Sequence, residues 1–288
     1  MDLGRIESGC KINLFLRVTG RRGDGYHTLE TVFLPLAVPS DTLEADLDAA
    51  PGVALEVDDR ELPGGMDNLV CRAAARYAEA AGIEPRWRFV LKKSIPIAAG
   101  LGGGSADAAA VLKLLNGRFG ALDIEKLKAV ALALGADVPF FLDPHPASAG
   151  GVGEELELVR SASAPPLLLV NPGFPVSAKW AYREFDRRGV KASERTLRGV
   201  VSALERGDIE LLARNVRNDL GAALWRKFPV LTLIRNELAA RGALAVEVSG
   251  SGPTLFAVMP DTASARRAEK EIASEHPRWR CFAAEGSR

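Results

Sequence analysis

The chain has 288 residues, 47% hydrophobic and 26% charged, a length natural for two domains and a composition that supplies a sizeable core. Lysine plus arginine and aspartate plus glutamate each number 37, so the net charge is zero, which argues against a general nucleic-acid binder. Three cysteines far apart (Cys10, Cys71, Cys281) and three histidines (His27, His145, His276) give neither a disulfide framework nor a metal-ligand spacing. No apolar run reaches membrane-spanning length, and Arg5 and Glu7 stand where a secretory signal would need its apolar core, so the chain reads as reduced and cytoplasmic, with no membrane partner.

In chain order, CKINLFLRV and TLETVFLPLAV read as strands around the polar, glycine-containing turn TGRRGDGYH. DTLEADL and GVALEVD read as two further strands. DNLVCRAAARYAEAAG has helical periodicity, with Asp67 placed to cap its start and Gly82 to end it. RWRFVLKKSIPI returns to strand character and leads into a glycine loop. The helix after that loop is expected to stop at Asn116-Gly117, and DIEKLKAVALALGADVPFFL supplies another helix and a buried turn. Small residues and prolines around VRSASAPPLLLVNPG put a domain boundary near Ser163, giving domains 1–163 and 164–288. Beyond it the sequence predicts a strand at Pro166 to Val170, several helices through Ala240, a strand–loop–strand in ALAVEVSGSGPTLFAVM, a charged helix from Thr262 to Glu275 and a terminal strand. Mixed α and β in two domains is the expectation.

The loop Gly100-Leu101-Gly102-Gly103-Gly104-Ser105 sits at the start of an alanine-rich helix. A helix N-terminus carries unpaired N–H groups and partial positive charge, and glycines let a ligand approach the backbone closely, so the segment has the make-up of a phosphate cradle. It is not a P-loop, since no lysine follows, and serine occupies the last position of a Gly-x-Gly-x-x-Gly fingerprint. A tight turn capping a core helix is the competing explanation. Ser105 is placed to cap the helix, to touch a phosphate oxygen or to reach a magnesium ion.

IPIAAGLGGGSADAA resembles the Pro-x-x-x-Gly-Leu-Gly-Ser/Gly-Ser motif of the galactokinase, homoserine kinase, mevalonate kinase and phosphomevalonate kinase (GHMP) superfamily. KINLFLRVTGRRGDGYH is similar to the first motif of that superfamily and VEVSGSGPTLFAV to its third. DNLVCRAA and GADVPFFL add to the likeness, which runs from about Lys11 to about Met259 and is greatest to the branch acting on a cytidine diphosphate-linked methylerythritol. The resemblance implies an α+β, two-domain fold. Its N-terminal domain would be like domain 2 of ribosomal protein S5, its C-terminal domain ferredoxin-like, and the active site would lie in the cleft between them. It implies ATP-dependent phosphorylation of the 2-hydroxyl of that substrate in the non-mevalonate isoprenoid pathway, with Mg2+, small-molecule ligands only, and a monomer or weak homodimer.

The resemblance also assigns residues. Lys11 and Asp137 match the catalytic lysine and aspartate, and an ion pair between them would satisfy two charges in apolar contexts; an exposed edge lysine and a helix cap are the bland alternatives. Pro96, Ile97, Ala98, Ala99, Gly100, Leu101, Gly102, Gly103, Gly104, Ser105 and Ala106 are the ATP loop. Asp67, Asn68 and Lys93 lie near the nucleotide, although capping explains Asp67 and a solvated charge explains Lys93. Tyr26 and His27 would recognise cytosine. Tyr182 would supply the opposite face, with Trp180 and Phe185 as competitors and a core helix position as the alternative. Asn13 shares a strand face with Lys11 and is carried over as a substrate contact, and Gly250, Ser251 and Gly252 would give backbone donors near a diphosphate. Ala98-Ala99 and Ala106 depart from the glycines and serine frequent in relatives. Ser105 is the one candidate metal contact. Another kinase of the superfamily, acting on homoserine or a mevalonate derivative, and a non-catalytic nucleotide-binding relative are the competing functions.

Overall fold

The computed structural model describes residues 4–59, 62–188 and 193–285. The chain divides into two compact units. The first comprises Met1–Cys10, Ser40–Ile95 and Gly102–Pro144, the second Lys11–Pro39, Pro96–Leu101 and His145–Arg288. The compositional change near Ser163 falls inside the second unit.

Two long strands, β1 (Gly4–Arg21) and β2 (His27–Asp46), contribute to both units. In the first unit, Thr42–Asp46 of β2 pairs antiparallel with β4 (Arg86–Lys92), and β4 pairs parallel with β3 (Gly52–Val57). DTLEADL is therefore the far end of β2 rather than a strand of its own. The helices are α1 (Leu69–Ala81), α2 (Gly103–Phe119), α3 (Ile124–Leu134) and α4 (Val138–Leu142). Helix α2 buries Ala106, Ala108, Ala109, Ala110, Val111, Leu112 and Leu115. Apolar residues on so much of its circumference make it a core helix, and the small alanines let neighbouring elements approach closely. Three expectations shift here. The α1 cap is Asn68, whose side chain accepts from the Val70 N–H, not Asp67. Helix α2 runs through Gly117 and ends at Gly120, which adopts φ 60°. GADVPFF forms a short helix rather than a plain turn.

In the second unit, β11 (Arg280–Glu285), β7 (Pro166–Asn171), β10 (Leu255–Val258) and β9 (Ala245–Val248) form an antiparallel sheet in that order. Leu168, Val170, Leu255 and Ala257 pack with Ile234 and Leu238 of α9 (Pro229–Ala240) and Ile272 of α10 (Thr262–Glu275). Elsewhere in this unit Phe15 and Leu16 of β1 pair parallel with β8 (Arg217–Asn218), and Thr31–Phe33 of β2 pairs with β5 (Ala147–Gly150), which forms a hairpin with β6 (Glu155–Leu158). Helix α5 (Ala178–Asp186) lays Ala181 and Phe185 on Leu16 and Val18. Helices α6 (Leu197–Arg206), α7 (Ile209–Asn215) and α8 (Gly221–Lys227) complete it. No helix among the described residues is long and apolar enough to cross a membrane.

Candidate functional site

The glycine loop is held by its carbonyls. Val176 N–H donates to Ala98 O (3.1 Å), Thr254 N–H to Ala99 O (3.3 Å), the Ser249 hydroxyl to Gly100 O (2.9 Å) and Lys11 N–H to Leu101 O (2.9 Å). In a trans peptide the C=O and the following N–H point opposite ways. The N–H groups of Ala99, Gly100, Leu101 and Gly102 are thus turned away from these four donors, and the chain runs on into the N-terminus of α2. Gly102 is the N-cap, in the left-handed region at φ 74° with no side-chain capping bond. Ser105 lies in the first turn of the helix, so of its three expected roles capping is removed.

The glycines differ in what they are for. Gly100 has φ 78°, and a Cβ there would come within 2.1 Å of Ser249 O, so this glycine is demanded by the protein itself. Gly104 is exposed, and a Cβ on it would meet only Leu69 at an ordinary 3.4 Å. Its missing side chain relieves no internal clash and leaves the outer face of the helix start bare. Alanine is accepted at position 98 even at φ 48°, where glycine is the usual residue.

The Ser249–Gly252 segment joins β9 to β10. Its Gly252 N–H donates to Ser249 O within the turn (2.8 Å), and Asn218 donates to the carbonyls of Val248 and Gly250 (2.7 Å each). Its visible task is to brace the glycine loop.

Lys11 and Asn13 lie on one face of β1, as alternation requires. Lys11 Nζ donates to Asn13 Oδ1 (2.8 Å), Asn13 Nδ2 donates to Thr31 Oγ1 (2.8 Å), and Thr31 donates to Phe15 O (2.6 Å). Lys11 is 5% exposed and stands 4.8 Å over the Phe33 ring, so it is not an exposed edge lysine. A buried ammonium is a strong local source of positive potential.

Asp137 precedes α4 with helical dihedrals and no side-chain capping bond. Capping therefore does not account for it. It is half-buried and followed by buried Val138, Phe140 and Phe141.

Tyr26, in the β1–β2 turn, is 66% exposed, while the adjacent His27 imidazole is largely covered. The His27 ring stacks on Tyr182 (centroids 4.8 Å apart, planes 19° from parallel), and its Nε2 lies 2.6 Å from Asp186 Oδ1. Of the three aromatic candidates on α5, Phe185 is buried, and Trp180 and Tyr182 are both half-buried; Trp180 packs against Phe228, and Tyr182 is the one stacked on His27. The partner of His27, Asp186, was not visible in the sequence, where it reads as one more charge at a helix end.

Lys93 is not a solvated charge. Its ammonium bonds Asp41 and Asp107, the latter at 2.7 Å, and its side chain is 7% exposed. Burial pulls this lysine down, but Asp107 and Asp41 together hold it above its ordinary value. Burial pushes the Asp107 carboxyl up to about 6, with Lys93 opposing the shift and Asp41 adding to it. Asp107 did leave a signal: one carboxylate inside the alanine run SADAAA.

Among the described residues, Glu237, Glu275 and His276 are close enough to hold a metal, but Arg241 bonds Glu237 and Glu275 at 2.5 Å each and so engages both carboxylates.

The family model described as GHMP kinases N terminal domain matches residues 68–143, and the one described as GHMP kinases C terminal matches 200–278. The chain is 37% identical over 277 residues, 96% of each chain, to 4-diphosphocytidyl-2-C-methyl-D-erythritol kinase of Syntrophotalea carbinolica. It is 41% identical over 261 residues, 90% of each chain, to the enzyme of that name from Pelotomaculum thermopropionicum. This chain belongs to the 4-diphosphocytidyl-2-C-methyl-D-erythritol kinases, within the GHMP kinases.

A crystal structure of 4-(cytidine 5'-diphospho)-2C-methyl-D-erythritol kinase matches it with TM-score 0.83 at 35% identity, over 99% of this chain and 100% of that one. Homoserine kinase from Cytophaga hutchinsonii matches with TM-score 0.78 at 18% identity, over 100% and 96%, a likeness of fold alone. The GHMP N- and C-terminal family matches fall on mixed α and β elements, as the motifs lead one to expect.

Proposed function

We propose that the protein transfers the γ-phosphoryl group of ATP to the 2-hydroxyl of 4-diphosphocytidyl-2-C-methyl-D-erythritol. The observation that carries this reading is the set of four tied-off carbonyls, Ala98 to Leu101, directly before the N-terminus of α2. Fixed carbonyls fix the opposing N–H groups, and a rigid row of donors entering a helix N-terminus suits a polyphosphate. The bare face at Gly104 fits close approach by such a ligand. The acceptor is taken from the relatives, both named for this substrate.

In the transfer, the substrate oxygen bonds to γ-phosphorus, the bond from phosphorus to the bridging oxygen breaks, and ADP leaves. The hydroxyl proton passes to Asp137, which orients the attacking oxygen. Lys11, steered by Asn13, offsets charge on the attacking oxygen and the transferring group. Pro96–Ala106 holds the phosphates; Asp67, Asn68 and Lys93 flank the nucleotide. Tyr26 and Tyr182 stack on cytosine. Because Asp186 occupies Nε2 of His27, that histidine reads the base through Nδ1 or its backbone. Gly250 and Ser251 face the diphosphate, and the Gly252 N–H, held inside its turn, braces them. Mg2+ would neutralise phosphate charge, with Ser105, in the first turn of α2, as the protein hydroxyl in position to hold it.

The test is mass analysis of the cytidine-linked product after incubation with ATP and Mg2+. A gain of one phosphoryl group is expected; phosphorylation of homoserine or mevalonate in its place would overturn the substrate assignment.

A further inference from the structure

The first turn of α2 and the chain segment entering the glycine loop are joined by one buried ionic cluster. Asp41 Oδ1 accepts from the N–H groups of Ser94 (2.6 Å) and Ile95 (2.8 Å), and its Oδ2 bonds the Lys93 ammonium. Lys93 reaches on to Asp107 Oδ2 on α2 (2.7 Å), and Asp107 Oδ1 accepts from the Ser8 hydroxyl (3.0 Å). The side chains of Lys93, Asp41 and Asp107 are 7%, 0% and 4% exposed. A Cβ on Gly103 would lie 2.9 Å from Ile95 Cγ2 and 3.5 Å from Lys93 Nζ, so the ammonium runs alongside the first residue of the helix.

We infer that Asp41, Lys93 and Asp107 are positioning residues that fix the first turn of α2 against segment 93–95, so that its N–H groups are presented to ATP phosphates. The inference rests on the ATP-loop reading above. The charge count supports it. Lys93 and Asp41 already neutralise one another, and a second buried carboxylate adds an excess negative charge that is costly in a dry interior. Stability alone is served by the pair. Asp107 is the member that carries the linkage onto α2, while Asp41 grips the two N–H groups at its other end. A ligand-binding turn built from glycines has little stiffness of its own, and this cluster supplies it.

The diagnostic variant is Asp107→Asn, which keeps the shape, an acceptor for Ser8 and the Lys93–Asp41 pair. Full-length protein is titrated with a magnesium-bound, non-hydrolysable ATP analogue and separately with cytidine diphosphate, below its melting temperature. The expected result is a rise of about 10- to 100-fold in Kd for the ATP analogue, of the size that small misplacements of a binding group produce, with cytidine diphosphate affinity unchanged. Ser8→Ala, which leaves all three charges in place, should give a smaller rise in the same direction, and it carries the test if Asp107→Asn does not fold. Wild-type affinity for the ATP analogue in the variants, whatever their melting temperature, overturns the inference, as does equal weakening of both ligands. Wild-type protein that binds no ATP analogue overturns the ATP-loop reading itself and this inference with it.

Discussion

Ser249 and Gly100 are locked together from both sides: the serine hydroxyl donates to Gly100 O at 2.9 Å, and the serine carbonyl stands 2.1 Å from where a Cβ on Gly100 would be. Gly100→Ala meets that carbonyl and must hold φ 78°, so it should cost about 3 kcal/mol or more. Gly104→Ala meets only an ordinary contact with Leu69 in a helix and should leave stability equal or raise it by about 0.5 kcal/mol. If phosphate approaches at Gly104, the second variant loses ATP affinity without losing stability. Melting curves beside ATP titrations separate the two glycines.

Tyr26 is so exposed that removing its ring should not disturb folding. Tyr26→Ala should leave the melting temperature unchanged and raise KM for the cytidine substrate about 10- to 100-fold, the worth of one aromatic stack on a base. KM for ATP should stay as it is. Equal losses for both substrates would contradict the assignment of this turn to the base.

Glu247, in the strand leading into the Ser249–Gly252 turn, is pushed up to about 7 by burial, with the Val248 N–H and more distant Arg195 and Arg235 opposing the shift. Its folded value lies above the unfolded one, so the native state binds more protons between about pH 4.5 and 7. Stability from this group is complete below that window and falls as pH rises through it. Glu247→Gln, which keeps an acceptor for Val248 N–H, should raise stability at pH 8 by about 1–3 kcal/mol and by far less at pH 5. Denaturant titrations at the two pH values check this.

Ala98 holds a left-handed backbone. Ala98→Gly removes strain of about 1 kcal/mol but loosens the unfolded chain by a similar or smaller amount. The expected net change is a gain of about 0–1 kcal/mol with ATP affinity retained, read by thermal melting and titration.

Local signals were the legible ones. Thr262–Glu275 forms the helix that its pattern predicts, with Asp261 as cap, and PLLLV forms a buried strand. The structure departs from the sequence reading where one local signal is outvoted. Asp67 and Asn68 both suit a cap, and only the bond to Val70 N–H chooses between them. Gly117 looked like a stop, yet packing carries α2 across it. DTLEADL reads as a strand of its own, but β2 continues through Pro39 into it. The short strand ASAG has no β-branched residue to announce it.

In the candidate site, motif order gave Lys11, Asn13 and the glycine loop. It could not give Asp41 as the partner of Lys93, because the two are 52 positions apart and nothing in either neighbourhood points to the other. For the same reason Asp186 beside His27 and Ser249 beside Gly100 became visible only in the fold.

Phosphoryl transfer to the cytidine-linked acceptor is proposed to run through Asp137. The measurement is ADP release from Mg-ATP, with and without 4-diphosphocytidyl-2-C-methyl-D-erythritol, by wild type beside Asp137→Asn. Acceptor-dependent turnover is expected in the wild type, with a fall of about 10²–10⁴-fold in kcat for the variant and ATP still bound. Acceptor-dependent turnover that survives unchanged in Asp137→Asn, or ATP binding with no turnover in the wild type, would contradict it.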